Sequence, residues 1–265
     1  MLADWNMHTF EQVDSTNELI KQKLHEGVTE GYVVAAFEQT GGYGRQGRDW
    51  SSPVGGLYMS FALRPQKPLL EQLTVPLVTC LAVKSACWKA LGIPDVQIKW
   101  PNDLLCRGSK ICGISTDKVG DGLCIGIGLN VFRPCGEATA SDRYRFGYVA
   151  ELGTVTVPAY ADADGLAGSQ MSLITDLQQT LLEEFRAYYE RWCAEGFAGV
   201  YDEYSKAMYN IGNYVALENL EGETIAEGLV RGVDIEGALL VERPDGSLFS
   251  CHSGEIHVAS KPIPE

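Results

Sequence analysis

The segment from Glu38 to Trp50, which reads EQTGGYGRQGRDW, constrains this chain more than any other. It places four glycines and two arginines between two apolar runs, Tyr32 to Phe37 and Leu57 to Leu63. Glycine lets the backbone come close to a ligand, and arginine offers a fixed fork of donors to carboxylates and phosphates. We therefore predict an anion-binding loop held between two strands, with an ordinary hairpin loop as the alternative.

The glycines of this loop also spell G-x-G-x-x-G, the fingerprint of dinucleotide-binding folds, at Gly42, Gly44 and Gly47. That fingerprint needs a helix directly after it, so that the helix N-terminus meets the pyrophosphate. The sequel from Arg48 to Gly56 contains Pro53 and two glycines, and it does not favour a long helix. A Rossmann fold is therefore not predicted, and the sequence contains no P-loop motif.

The charge balance restricts the class of partner. The 265 residues include 21 basic and 35 acidic side chains, a formal charge of −14, which argues against nucleic acid as the partner. No signal peptide and no membrane-spanning run is recognisable. Eight cysteines without a C-x-x-C pair indicate reduced core residues of a cytoplasmic protein. A zinc site is not expected, and no residue is assigned as a metal ligand.

Hydrophobic periodicity predicts alternating helices and strands around the loop. Ser15 and Glu18 fit a capping box that opens a first helix. Two longer helices are predicted, Leu70 to Leu91, with Pro76 tolerated only near its start, and Ser172 to Glu195. The predicted strands are residues 32–40, 57–64, 95–100, 111–117 and 123–131. An irregular loop is predicted at residues 133–147.

The composition changes after Ile211-Gly212. Five short strands separated by turns are predicted from there, at residues 214–218, 224–233, 238–242, 247–251 and 255–259. About fifty residues are too few for a β-sandwich but enough for a small barrel. We therefore predict two domains, residues 1–211 and residues 212–265.

Four further features are candidates for a site, each with a structural alternative. Ser15-Thr16-Asn17 at a helix N-terminus can face a ligand or only cap the helix. Asn102-Asp103 after a strand can carry chemistry or form a turn. The glycine stripe from Gly126 to Asn130 marks close approach of a ligand or tight packing. Lys110 lies in a predicted polar turn, where most lysines are simply solvated.

Taken in order, these motifs resemble the biotin protein ligases. The resemblance is carried by VDSTN at 13–17, QT-GYGRQGR-W within 39–50, KWPND at 99–103, Lys110 with Gly113-Ile114, and GIGLN at 126–130. It implies an α+β fold with helices packed on a mixed, largely antiparallel sheet, plus a small C-terminal SH3-like β-barrel. Some members carry an N-terminal DNA-binding domain; because the first motif begins so early, the ligase-only form is expected.

The resemblance also implies a two-step reaction in the cytoplasm. Biotin and ATP, with Mg²⁺, give biotinyl-5′-AMP, and biotin then passes to one lysine of a biotin carboxyl carrier protein domain. No nucleic acid or membrane is implied as a partner, and the enzyme is expected to be a monomer or homodimer. The alternatives are a lipoate-protein ligase or octanoyl/lipoyl transferase of the same superfamily, and a non-catalytic biotin sensor.

By the same resemblance, Lys110, Arg45 and Asp103 are the expected catalytic residues. The expected biotin-binding residues are Ser15, Thr16, Asn17, Gln39, Gly42, Tyr43, Gly44, Arg45, Lys110, Gly126 and Ile127. The expected ATP- or adenylate-binding residues are Arg45, Arg48, Trp50, Asn102, Lys110 and Asn130. Because the reaction joins two anions, the hypothesis requires Arg45 and Lys110 to share one cleft.

One loop position departs from the family pattern. The loop is commonly G-R-G-R-x-G-R, and Tyr43 stands where the first arginine is expected. Tyrosine donates one hydrogen bond but carries no charge at neutral pH. The hypothesis is therefore that Lys110 and Arg45 supply enough charge without it.

Overall fold

The computed structural model describes residues 4–134, 145–154, 165–219 and 221–259. A seven-stranded sheet forms its larger part. Its strands are β1 (Asn6–Val13), β2 (Tyr32–Gln39), β3 (Gly56–Leu63), β4 (Val96–Lys99), β5 (Asp103–Cys106), β6 (Ser109–Val119) and β7 (Gly122–Asn130). They run in the order β1-β2-β3-β7-β6-β5-β4, with β1 and β2 parallel and the other neighbours antiparallel. The mixed, largely antiparallel sheet is confirmed.

Helices cover both faces of this sheet. The described α-helices are α1 (Thr16–His25), α2 (Leu69–Gln72), α3 (Val75–Leu91), α4 (Val149–Leu152), α5 (Gly168–Glu195) and α6 (Tyr201–Ala207). On one face, α3 and α5 contribute to the main apolar core. On the other face, α1 buries Ile20 and Leu24 against Val34, Ala62 and Cys124. Because both faces are covered, β3 is buried along its whole length.

Local propensity explains most boundaries, and two elements differ from the prediction. The predicted helix over 70–91 is broken into α2 and α3, and Pro76 lies in the first turn of α3, where its missing N–H costs no helical hydrogen bond. Strand β1 has a mostly exposed pattern without hydrophobic alternation, so it escaped prediction. Its backbone pairing with β2, residue for residue from Asn6 opposite Tyr32, is what makes it a strand.

The five predicted C-terminal strands form a second, antiparallel sheet. They are β8 (Tyr214–Glu218), β9 (Thr224–Val233), β10 (Leu239–Glu242), β11 (Leu248–Cys251) and β12 (Glu255–Val258), in the order β11-β10-β9-β8-β12. The indole of Trp100, just after β4, donates to the carbonyl of Gly237 at 3.1 Å. This bond fixes the second sheet beside the turn that follows β4. The division at residue 211 stays a prediction.

Three other predictions concern membrane-spanning segments, the cysteines and the loop at 133–147. The helical stretch Leu69–Leu91 is long and apolar enough to cross a membrane, but 61% of its most apolar window is buried in the protein, as in a core helix. Seven cysteines are described, all as free thiols, and five of them are buried. Cys193 is exposed and Cys251 half-buried, so the prediction that the cysteines are core residues is wrong for these two. The predicted loop at 133–147 lies mostly outside the described residues.

Candidate active site

A cleft of about 440 Å³ opens beneath the glycine-rich loop. Its walls come from this loop, the start of α1, the turn between β4 and β5, strands β6 and β7, and the start of β12. The sequence-predicted residues that line it are Thr16, Asn17, Gln39, Tyr43, Gly44, Arg45, Arg48, Trp50, Asn102, Asp103, Lys110, Gly126 and Ile127. Arg45 and Lys110 therefore share one cleft, as the hypothesis requires.

Three predicted residues do not line the cleft. Ser15 is buried at the N-cap of α1, and Gly42 supports the loop from behind by accepting the N–H of Trp50 at 2.9 Å. Asn130 ends β7, and its side-chain amide lies 3.5 Å from the carbonyl oxygen of Lys110. Their positions give them supporting contacts around the cleft.

The glycine-rich loop is a short hairpin over the cleft. The N–H of Gly44 donates to the carbonyl of Arg48 at 2.8 Å, and Tyr43 pairs with Asp49. The tip turns through the left-handed region at Gln46 (φ 61°) and Gly47 (φ 67°). Only the second is a glycine, so Gln46 adopts a conformation that is uncommon for a residue with a side chain. This turn places both loop arginines at the cleft.

The start of α1 supplies the polar floor, and the capping-box prediction is wrong. Ser15 is the N-cap, but its hydroxyl makes no capping hydrogen bond. Instead, Gln39 at the end of β2 accepts the backbone N–H of Thr16 at 2.8 Å. Asn17 donates to Ser115 at 2.9 Å and accepts from Ser60 at 2.7 Å. A helix end thus finds its acceptor on a neighbouring strand, which frees Glu18 to point elsewhere.

The glycine stripe of β7 makes room for side chains of the cleft. A Cβ at position 126 would lie 2.5 Å from the Ser115 hydroxyl, and one at 128 would lie 2.6 Å from Cε2 of Trp50. On β6, a Cβ at 113 would lie 3.0 Å from the same indole. The Trp50 ring therefore rests on bare glycine backbone from β6 and β7. These glycines have a packing role, and the position of the ring in the cleft depends on it.

Lys110 and Asp103 form an enclosed ion pair in the cleft, with Nζ and Oδ1 2.7 Å apart and side chains only 14% and 12% exposed. Lys110 lies in β6 and not in the predicted turn, because it pairs with Leu105 of β5; its N–H also donates to the carbonyl of Arg145, and its own carbonyl accepts from Gly147. Its Nζ also lies 5.4 Å from the centroid of the Trp50 ring. A cation held this way is aimed at the cleft interior.

The loop arginines are held by two other parts of the chain. Arg45 donates to Asn102 at 3.1 Å, and burial lowers the pKa of its guanidinium, which favours an added anion nearby. Arg48 pairs with Glu255 of β12 at 2.6 Å. Burial opposes ionisation of Glu255, but the hydrogen bond and charge of Arg48 outweigh it and lower its pKa to about 2.

Sequence reasoning missed three charged residues of the cleft, Asp49, Lys99 and Glu255. Lys99, at the end of β4, was noted only as part of a motif, yet it is buried against the cleft. Glu255 lies two hundred positions from the loop, and no local signal marks it. Four basic side chains and three carboxylates line the cleft, so it carries a net positive charge in a chain of formal charge −14. Such a site favours anionic ligands.

The fold and its enclosed, net-positive cleft suit a protein that binds anionic substrates, and comparison with known proteins identifies its family. Residues 9–130 match the Biotin/lipoate A/B protein ligase family, and residues 211–258 match the Biotin protein ligase C terminal domain. A solved structure of biotin protein ligase from Aquifex aeolicus in complex with biotin and ATP covers 97% of this chain and 99% of its own, with a TM-score of 0.74 and 26% identity.

Curated relatives agree with this match. The biotin--[acetyl-CoA-carboxylase] ligase of Paracoccus denitrificans is 30% identical over 89% of this chain and 93% of its own length. The bifunctional ligase/repressor BirA of Escherichia coli is 31% identical over 94% of this chain and 72% of its own length. The chain belongs to the biotin protein ligase family.

Proposed function

We propose that this protein is a biotin protein ligase that makes biotinyl-5′-AMP and transfers biotin to a lysine of a carboxyl carrier domain. The observation that carries the proposal is the enclosed Lys110–Asp103 pair, set against Trp50 in the same cleft as Arg45. A positive, partly enclosed pocket next to a polar floor suits a neutral ring with an acidic tail. It also suits the phosphates that must meet that tail.

In the first step, a biotin carboxylate oxygen attacks the α-phosphorus of ATP. A new P–O bond forms, the bond to the bridging oxygen breaks, and pyrophosphate leaves. Lys110 has to exchange part of its contact with Asp103 for the carboxylate and α-phosphate, and Arg45 neutralises the developing charge. The ureido ring binds at the floor of Thr16, Asn17 and Gln39. There, each hydrogen bond that the ring gives up to water on binding must be replaced by one to the protein.

In the second step, the lysine amine of the carrier domain attacks the acyl carbon. A C–N bond forms, the C–O bond to AMP breaks, and the amine loses a proton. Asp103 lies at the cleft, where its carboxylate orients the attacking amine. The trapped adenylate has to stay out of water until the carrier arrives, and the hairpin over the cleft serves this purpose.

Magnesium fits the residues that the cleft offers. Asp103 and Asn102 would provide carboxylate and amide oxygens, the ligands Mg²⁺ prefers, and phosphates and water would supply most of the remaining ones. When bound, the ion neutralises phosphate charge. Among the described residues, no group of three or more His, Cys, Asp or Glu side chains forms a metal site that is independent of ATP. We infer a cytoplasmic setting, since ATP and carrier domains meet there.

The test is to incubate the protein with ATP, Mg²⁺, a carrier domain and either biotin or lipoate. Mass spectrometry of the carrier should then show a biotin-sized gain on one lysine, and no lipoyl gain. A lipoyl gain alone would support the lipoate-ligase alternative. Biotin binding without adenylate formation or transfer, over a range of carrier domains, would support a non-catalytic sensor.

A further inference from the structure

Tyr43 makes contacts that its place in the loop sequence does not suggest. Its hydroxyl donates to the carboxylate of Glu18 on α1, and its ring lies under the Lys21 ammonium, 4.9 Å from Nζ to the ring centroid. Lys21 bridges Glu18 at 3.3 Å and Asp117 of β6 at 2.8 Å. Four side chains from the loop, α1 and β6 therefore form one connected network.

The donor and acceptor states of this network are fixed at neutral pH. Burial and the hydrogen bond to Glu18 raise the pKa of Tyr43 to about 12, so the phenol stays protonated. The same hydrogen bond is the main cause of a lowered pKa at Glu18, so its carboxylate stays ionised. A neutral donor meets a charged acceptor, which is a stronger pairing than one between two neutral groups.

The network connects the roof of the cleft to its floor. Glu18 and Lys21 lie one turn apart on the same helix whose first residues, Thr16 and Asn17, form the polar floor. Any movement of the hairpin away from the cleft has to break the Tyr43–Glu18 bond. An arginine at position 43 would be drawn towards anions in the cleft, whereas the tyrosine hydroxyl is directed away to the helix.

We propose that Tyr43 is a positioning residue, which holds the glycine-rich hairpin over the biotin pocket by hydrogen bonding to Glu18. The proposal rests on the proposed function for what the pocket holds, but the tether itself is a property of the chain. In this protein, contacts within the chain thus contribute to hairpin closure. Removing the tether should let biotin and the adenylate escape more easily without changing the chemistry.

Two variants test the tether, with a matched control. Tyr43→Phe removes the hydroxyl and keeps the ring, and Glu18→Gln keeps the length and removes the charge. Glu26→Gln is the control, because Glu26, the C-cap of α1, forms the same kind of Lys–Glu pair, with Lys23, and among the described residues its side-chain hydrogen bonds go to Lys23 and Gln22 and none to the hairpin. Trypsin can cut the hairpin after Arg45 or Arg48, which gives a readout that needs no enzyme activity.

We expect hairpin cleavage to be about 5-fold faster in Tyr43→Phe and Glu18→Gln than in the wild type or Glu26→Gln, a modest factor because Glu18 is largely exposed. In the same variants the KM for biotin should rise about 3- to 10-fold, with kcat for adenylation within about 2-fold. Release of free biotinyl-adenylate should rise by a similar factor. The double variant should be no worse than Tyr43→Phe alone, since that change already removes the bond that Glu18→Gln only weakens by removing the charge.

Equal cleavage rates in all four proteins would overturn the tether, whatever their activity. A kcat loss at unchanged KM would also overturn it, because that pattern belongs to a group that contacts the reacting atoms. If the wild type forms no adenylate while the cleavage rates still differ as expected, the proposed function fails and the tether stands. Thermal unfolding of each variant separates a loose hairpin from a poorly folded protein.

Discussion

Replacing Lys110 with methionine is the perturbation that tests the site most directly. Methionine keeps most of the volume and removes the charge, so Asp103 is left without the ammonium that lies 2.7 Å from it. Breaking a buried ion pair from one side costs about 3–5 kcal/mol, because the remaining charge has lost its water and its partner. Both side chains retain slight exposure, 14% and 12%, so we expect a loss somewhat below that range, about 2–3 kcal/mol.

That loss corresponds to a melting temperature lowered by roughly 5–10 °C for a protein of this size. Loss of the cation should also slow adenylation by about 10²- to 10³-fold, as removal of one electrostatic stabiliser does in other enzymes. Stability and activity therefore fall together in this variant. A second substitution is needed to separate them.

Lys110→Met/Asp103→Asn provides the separation. With no unpaired charge left, the double variant should regain most of the melting temperature while adenylation stays at the level of Lys110→Met. Lys118→Met is the control, because Lys118 lies on the same strand β6 but bonds to Gln72 away from the cleft. Biotin-dependent exchange of pyrophosphate into ATP measures the first step. Wild-type exchange in Lys110→Met, or exchange that returns in the double variant, would refute the catalytic role.

Two further predictions concern the indole and the second sheet. Gly128→Ala places a Cβ 2.6 Å from Cε2 of Trp50, so the ring must move and the KM for biotin should rise about 10-fold; Gly168→Ala, with open space around it, should change neither KM nor melting. Because the pKa of Glu255 is lowered to about 2 by Arg48, its stabilisation of about 1 kcal/mol at most is complete above about pH 4.5 and is lost as the pH falls towards 2. The free energy of unfolding of Glu255→Gln and of the wild type, measured at pH 7 and pH 2.5, tests this. The stability difference between the two proteins should be smaller at pH 2.5; a larger difference at pH 2.5 would contradict the assignment.

The residues around the loop show how much of the structure a local sequence pattern can predict. Strands β2 and β3 are apolar runs beside four glycines, and no other element type suits them. The roles of Arg45, Arg48 and Lys110 came from a family resemblance, since arginine or lysine in a polar segment is ordinarily solvated. That resemblance predicted which residues meet, because an ordered set of motifs carries spatial information that periodicity lacks.

Ser15 shows why a local rule can fail beside a site. The capping box assumes that a helix end is satisfied by its own residues. Here Gln39, from the neighbouring strand, accepts the Thr16 N–H, and Glu18 turns to Tyr43. Packing decides whether a local or a distant acceptor bonds to the helix N–H, and a local sequence pattern does not predict the outcome. The pairing of Glu255 with Arg48 is likewise decided by packing, between segments still further apart in the chain.

By itself the sequence determined the order and type of most elements, the glycine-rich hairpin between two strands, and the family to which the chain belongs. These depend on interactions between residues near one another, and on motifs that keep their order. The tertiary structure alone decided that Tyr43 faces α1, that Glu255 reaches Arg48, and that the Trp50 ring rests on bare glycine backbone. Each of these contacts joins segments far apart in the chain, and its geometry exists only after the two sheets and their helices have packed.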